Sequence, residues 1–224
     1  MIVTIDGPAA AGKSTAARAL AERLGFDYLD TGAMYRAVTL AALRRGVPLG
    51  DEQALERLAG SVQITFHGRA VFLDGEEVSE AIRNVDVTRA SRHVADSPAV
   101  RRLMVTLQRA AGRTGNIVTE GRDQGTVVFP DAVCKIYLTA TPEVRAERRH
   151  RDLASRGQQV PLTRVLSDQA ERDRRDAARE IAPMVPAPDA IVLDTTTMSF
   201  EETVDKLAQI VRGAEESGAG CTAR

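Results

Sequence analysis

The sequence contains no tryptophan, and aromatic residues make up only 4% of its 224 positions. Stacking of unpaired bases is therefore poorly served, which speaks against a single-stranded nucleic-acid binder using its arginine-rich helices. Only two cysteines occur: Cys134 inside an apolar run and Cys221 in a polar C-terminal stretch. They imply no disulfide frame and fit a reducing compartment. No apolar run approaches the length needed to cross a bilayer. A strand-like segment begins at the first residue, leaving no room for a secretory leader, so the sequence predicts a cytoplasmic protein without a membrane partner. His67, His93 and His150 lack metal-ligand spacing. Net charge is −1, so no global field gathers polyanions. Lysine is scarce as well, occurring only at Lys13, Lys135 and Lys206, and the remaining cations are arginines. Any phosphate must therefore be met locally, chiefly by guanidinium forks.

What is present is enough apolar residue, 43%, to bury one sizeable core. Residues 1–5 read as a buried strand, followed by a glycine-bearing loop and an alanine-rich helix to Leu24, stopped by Gly25. A helix is expected over 33–45. Residues 62–66 alternate, 70–73 are apolar, and Asp74-Gly75 is a hairpin signal, so a small antiparallel sheet is expected between helical regions. Residues 84–113 read as helical, with Pro98 opening a helix. Short strands follow at 117–119, 133–138 and 190–193, with helices over 142–156, 162–180 and 200–211. Strands alternating with helices predict an α/β fold, a parallel sheet covered on both faces. Residues 213–224 are small and polar and read as a disordered tail. The chain is read as a monomer, since no unusual apolar stripe stands out.

Gly7-Pro8-Ala9-Ala10-Ala11-Gly12-Lys13-Ser14 matches the phosphate-loop pattern G-x-x-x-x-G-K-[ST]. Glycines let successive backbone N–H groups face phosphate oxygens, and the helix that follows aims its positive end at the same anion. Lys13 then reaches the β- and γ-phosphates of ATP, and Ser14 offers a hydroxyl to Mg²⁺. The candidate ATP-binding residues are Gly7 through Thr15. The loop alone leaves GTPase, motor ATPase and small-molecule kinase open. No Asn-Lys-x-Asp guanine reader occurs, and Glu120, preceded by Thr119, is a weak motor signal.

A second anion site is suggested by arginines at element ends, where ligands sit in open α/β sheets. Arg36 lies one turn into a helix, and Arg122 follows the strand over 117–119. Arg172, Asp176 and Arg179 fall on one helical face among Asp173 and Arg175. By spacing alone that face reads equally well as a solvated ion-pair surface.

Together with the phosphate loop, Asp30-Thr31-Gly32-Ala33-Met34-Tyr35-Arg36, the run Glu120-Gly121-Arg122-Asp123-x-Gly125-Thr126-Val127-Val128-Phe129-Pro130-Asp131, and Glu171-Arg172-Asp173-x-Arg175-Asp176 resemble the bacterial cytidylate kinases. The resemblance runs from residue 2 to about 211 and includes the β insertion. It implies a single P-loop kinase domain over 1–212, in three layers. The core would comprise 1–30, 114–144 and 181–212. A monophosphate-binding region with the β insertion would cover about 31–113, and a helical lid about 145–180. It further implies transfer of the ATP γ-phosphoryl group to CMP or dCMP. Arg36 and Arg122 would hold the acceptor phosphate, with Thr31 keeping a hydroxyl nearby. Ser91, Arg101, Asp123 and Arg179 would read cytosine, and Arg172 and Asp176 the ribose. Lys13, Arg36, Arg122 and Arg179 would carry catalysis. Glu120 stands where the family commonly has Asp and would reach Mg²⁺ through water. Arg148 or Arg156 would bridge the substrates on lid closure. A carboxylate at Asp123 suits the exocyclic amino group that cytosine has and uracil lacks. The acceptor phosphate is already anionic, so no general base is required. The competing readings are a P-loop kinase for UMP, dTMP or shikimate, and a non-catalytic nucleotide-binding scaffold.

Overall fold

The computed structural model of the chain describes residues 1–68, 70–113, 115–155 and 157–217. In chain order the elements are β1 (Ile2–Asp6), α1 (Lys13–Leu24), β2 (Asp27–Asp30), α2 (Thr31–Arg44), α3 (Glu52–Ser61), β3 (Ile64–His67), β4 (Ala70–Leu73), β5 (Glu76–Glu77), α4 (Val85–Asp96), α5 (Pro98–Ala111), β6 (Ile117–Gly121), β7 (Cys134–Thr139), α6 (Pro142–Ser155), α7 (Leu162–Ala177), β8 (Ile191–Asp194) and α8 (Phe200–Ser217). They form two compact units: Met1–Leu29 with Gly112–Arg224, and Asp30–Ala111.

The first unit is built on a five-stranded sheet in the order β2-β6-β1-β7-β8. β1 pairs parallel with both β6 and β7, and β7 pairs parallel with β8. The central strand is buried on both faces, with Val3 and Ile5 on one and Thr4 on the other, as a sheet covered on two sides demands. α1 and α8 close one side through Ala17, Leu20, Leu207 and Val211, packed on Ile136 and Leu138. Gly25, at φ 69°, ends α1, and its N–H bonds back to the helix carbonyls, as the sequence suggested.

The C-terminal helix corrects one expectation. It continues to Ser217, because Ala214 remains buried beyond Val211, where the apolar pattern was expected to stop. Residues 213–217, read from sequence as disordered tail, are therefore helical. Residues 218–224 lie outside the described residues.

The second unit joins α2, α3, α4 and α5 to a three-stranded antiparallel sheet, β3-β4-β5. The Asp74-Gly75 turn takes positive φ at both residues, 52° and 86°, the primed-turn geometry that matches strand twist. Asp74 also accepts the Gln63 N–H at 2.8 Å. Ser97 accepts the Val100 N–H at 3.3 Å, so Pro98 opens α5 behind a capping hydroxyl. Among the described residues no helix is long and apolar enough to cross a membrane.

Candidate active site

The phosphate loop leaves β1 at Gly7, whose φ is +146°. A Cβ there would lie 2.0 Å from the Leu138 carbonyl oxygen, so β7 leaves room for glycine alone. Ala10, at φ 59°, and Gly12, at φ 90°, add two further positive-φ residues to the loop, a backbone shape suited to turning N–H groups toward an anion. Gly12 is followed at once by α1, whose first residue is Lys13. The Lys13 side chain is 5% exposed. Its ammonium donates to the Pro8 carbonyl oxygen at 2.8 Å. Burial, seconded by the Arg122 guanidinium, lowers its pKa to about 7, against the opposing pull of Glu120. Ser14 donates its hydroxyl to Glu120 Oε1 at 2.9 Å. The hydroxyl from α1 and the carboxylate from β6 thus share one spot.

Beyond β6 the chain makes a π-helical turn over Gln124–Val128, with the Phe129 N–H donating to Gln124 O at 2.7 Å. Asp6, at the end of β1, anchors that turn by accepting the Gln124 and Gly125 N–H groups at 2.9 and 2.7 Å. Burial raises the Asp6 pKa to about 6 in spite of those two bonds. Thr119 donates to the Gln124 side chain at 2.9 Å. Arg122 and Asp123 are presented between the strand and this turn, and Asp123 is 6% exposed.

Arg122 meets α7. Its Nε donates to Asp176 at 2.9 Å. Arg179 lies 2.7 Å from the same carboxylate and Arg172 lies 4.0 Å away. Burial pushes the Asp176 pKa up, but Arg122, Arg179 and Arg172 together outweigh it and hold the group below the ordinary carboxylate range. Asp176 is 5% exposed and its nearest partners come from two elements. That is unlike a solvated helix face, whose ion pairs are local and wet.

Arg148, expected at the lid, donates to Thr195 Oγ1 at 3.0 Å, to Thr195 O at 2.7 Å and to Ala11 O at 3.4 Å. Arg156 lies outside the described residues. Arg145, at the start of the segment read as lid, is buried and bonds to Ala9 O at 2.9 Å.

The Asp30–Ala111 unit carries the other sequence-nominated residues. Asp30 caps α2 by accepting the Ala33 N–H at 2.8 Å and lies 3.5 Å from Arg36 Nη2. Among the described residues the Arg36 Nε is buried with no hydrogen-bond partner, a donor suited to an anionic ligand. Thr31 is buried on the same helix. Arg101 is 5% exposed, donates to Ala95 O at 3.0 Å and lies over the Tyr35 ring at 5.9 Å. The Ser91 hydroxyl donates to Thr88 O at 2.9 Å.

Sequence reasoning gave no role to Asp6, Gln124 or Thr195, and took Arg145 only as the start of the lid segment and Asp173 only as a member of the charged helical run. The signal for Asp6 was an acid directly before the phosphate loop. The contacts of the others have no local signature, because their partners lie far along the chain, as with Asp173 and Ala9.

Residues 3–213 match the family model described as cytidylate kinase. A cytidylate kinase of Pelotomaculum thermopropionicum is 50% identical over 220 residues, covering 96% of this chain and 97% of that protein. A bifunctional pantoate ligase/cytidylate kinase of Synechococcus sp. (strain JA-2-3B'a(2-13)) is 49% identical over 94% of this chain, which spans 40% of that longer protein. A gluconokinase from Sinorhizobium meliloti 1021 shares the fold, with a TM-score of 0.50, 18% identity, and coverage of 96% of this chain and 94% of that one. With the phosphate loop, the Gly121-Arg122-Asp123 strand end and the Asp176 arginine cluster in place, the chain belongs to the cytidylate kinase family.

Proposed function

We propose that the chain transfers the γ-phosphoryl group of ATP to CMP and dCMP, giving ADP and the corresponding diphosphate, as a monomer in the cytoplasm. The observation that carries this reading is the convergence of Arg122, Arg172 and Arg179 on Asp176, in the same unit as the phosphate loop. A nucleotide-binding scaffold needs no second anion site. ATP lies on residues 7–15, with Lys13 on the transferred group. Arg122 meets the acceptor phosphate. Arg172 and Asp176 hold the ribose hydroxyls, for which a carboxylate offers only acceptors. Asp123 and Arg179 read the cytosine edge. In the other unit Thr31, Arg36, Ser91 and Arg101 are the proposed acceptor contacts. Arg148, in the phosphate-loop unit, or Arg156 is the proposed lid arginine.

The chemistry is in-line displacement by an anionic phosphate oxygen, so alignment and charge neutralisation supply the rate. No residue is required to remove a proton. The Ser14 hydroxyl and the Glu120 carboxylate, 2.9 Å apart, fit a magnesium ion that keeps most of its waters and leans on the nucleotide phosphates. When bound, the ion would neutralise charge on the β- and γ-phosphates. Ser14 would orient it directly and Glu120 through water.

A coupled ADP-release assay with Mg·ATP, offering CMP, dCMP, UMP, AMP, GMP, dTMP and shikimate separately, tests the proposal. Strong turnover with CMP and dCMP and weak turnover with UMP is the expected result. Preference for another acceptor would overturn the acceptor assignments, and silence with all of them would favour a scaffold.

A further inference from the structure

Both polar groups of one phosphate-loop residue are held by an acid–base pair from two helices. The Ala9 N–H donates to Asp173 Oδ1 at 3.0 Å, and the Ala9 carbonyl accepts from Arg145 Nη1 at 2.9 Å. The same Nη1 donates to Asp173 Oδ2 at 2.5 Å. Arg145 Nε donates to Ala140 O at 3.0 Å, tying α6 to the end of β7. Arg145 is 7% exposed. A buried pair of this kind adds little net stability over well-packed apolar groups, and its best-attested use is to fix register. The register fixed here is between the donor loop and α7. On α7 Asp173 is flanked by Arg172 and precedes Asp176 by less than one turn, and Asp176 is bonded to Arg122.

We infer that Asp173, acting through Arg145, is a positioning residue for phosphoryl transfer: it sets the phosphate loop at Ala9 against the helix that carries the acceptor cluster. The inference rests on the transfer reading above. Asp173 itself touches neither substrate in this role. Its carboxylate serves two donors at once, one on each oxygen. An asparagine cannot do that: whichever partner its amide oxygen accepts from, its NH₂ group faces the other donor. The loop and α7 then lose their common reference, while each keeps its own binding groups. A misplacement of about 1 Å at a reacting centre lowers the rate by as much as about 100-fold with little change in ground-state binding.

The test is steady-state kinetics of the full chain with both Mg·ATP and CMP varied, comparing wild type, Asp173→Asn and Arg145→Lys. Arg145→Lys keeps the charge but cannot serve Ala140, Ala9 and Asp173 together. For Asp173→Asn kcat is expected to fall by at least about tenfold, with both KM values within about threefold of wild type. If that variant does not fold, the same split in Arg145→Lys decides. A kcat within about twofold of wild type, with only a lower melting temperature, would make the pair purely structural and overturn the inference. So would a rise confined to the KM for Mg·ATP. An inactive wild type would bring down the transfer reading and this inference together, whereas an active wild type with unchanged variants would bring down this inference alone.

Discussion

The Lys13 ammonium bonds to the Pro8 carbonyl of its own loop, and burial with the nearby Arg122 sets its pKa at about 7. Above that pH the group is largely neutral before nucleotide binds. A triphosphate beside it favours the charged form and raises the pKa in the complex. Binding takes up a proton, so affinity for Mg·ATP falls as pH rises above about 7, by at most tenfold per unit. Calorimetric titration near pH 8.5, in two buffers of different ionisation enthalpy, should show uptake approaching one proton per nucleotide, and none in Lys13→Arg. Zero uptake by the wild type would mean that Lys13 is charged throughout. Asp123 supports a second expectation at this scale. Asp123→Asn keeps shape but adds a donor, so it should narrow the preference for CMP over UMP by roughly tenfold, read as a ratio of kcat/KM values. An unchanged ratio would remove Asp123 from base recognition. Arg122→Ala should lower CMP affinity and turnover while leaving ATP binding nearly intact; an equal loss of ATP affinity would remove Arg122 from the acceptor site.

At the scale of elements, α8 shows what sequence periodicity carries and where it stops. Its apolar stripe is plain through Val211, but the following Gly-Ala-Glu-Glu-Ser reads as polar tail. The structure buries Ala214 at 3% exposure, and one small residue is too weak a signal to extend a pattern. Val211 is fully buried in the cluster shared with α1 and the sheet. Val211→Ala should cost about 2 kcal/mol from lost methyl burial and the cavity left behind. That lowers the melting temperature by roughly 4–8 °C in a chain of this size. A shift under about 1 °C would mean that this end of the helix contributes nothing to the core. The β4–β5 hairpin was legible because Asp74-Gly75, which joins the two strands, demands positive φ. β2 was not: its four residues begin and end with aspartate, and it takes its place from its neighbour β6. The π-helical turn was invisible too, since Asp6 holds it from the other end of the first unit's chain. The site followed the same division. The phosphate loop and Arg122 carry local motifs, whereas the Arg145–Asp173 grip on Ala9 has none.

For the molecule as a whole, net charge and local charge point in different directions. A chain of net charge −1 exerts no long-range pull on nucleotides. The attraction must come from Lys13 and from the arginines gathered at Asp176, acting at contact distance. Contact pairs in a partly buried site are screened much less than pairs separated by more than a Debye length, about 8 Å at physiological salt. The KM for CMP should therefore rise only about two- to fivefold between 50 and 500 mM NaCl, with kcat nearly constant. Arg122→Ala should start from a weaker affinity and show a flatter salt dependence, because the charge that the salt competes with has gone. A steep dependence, retained in Arg122→Ala, would instead place the source of attraction in charges spread over the surface. Scattered arginines would then gather the acceptor, and the cluster at Asp176 would serve only to orient it.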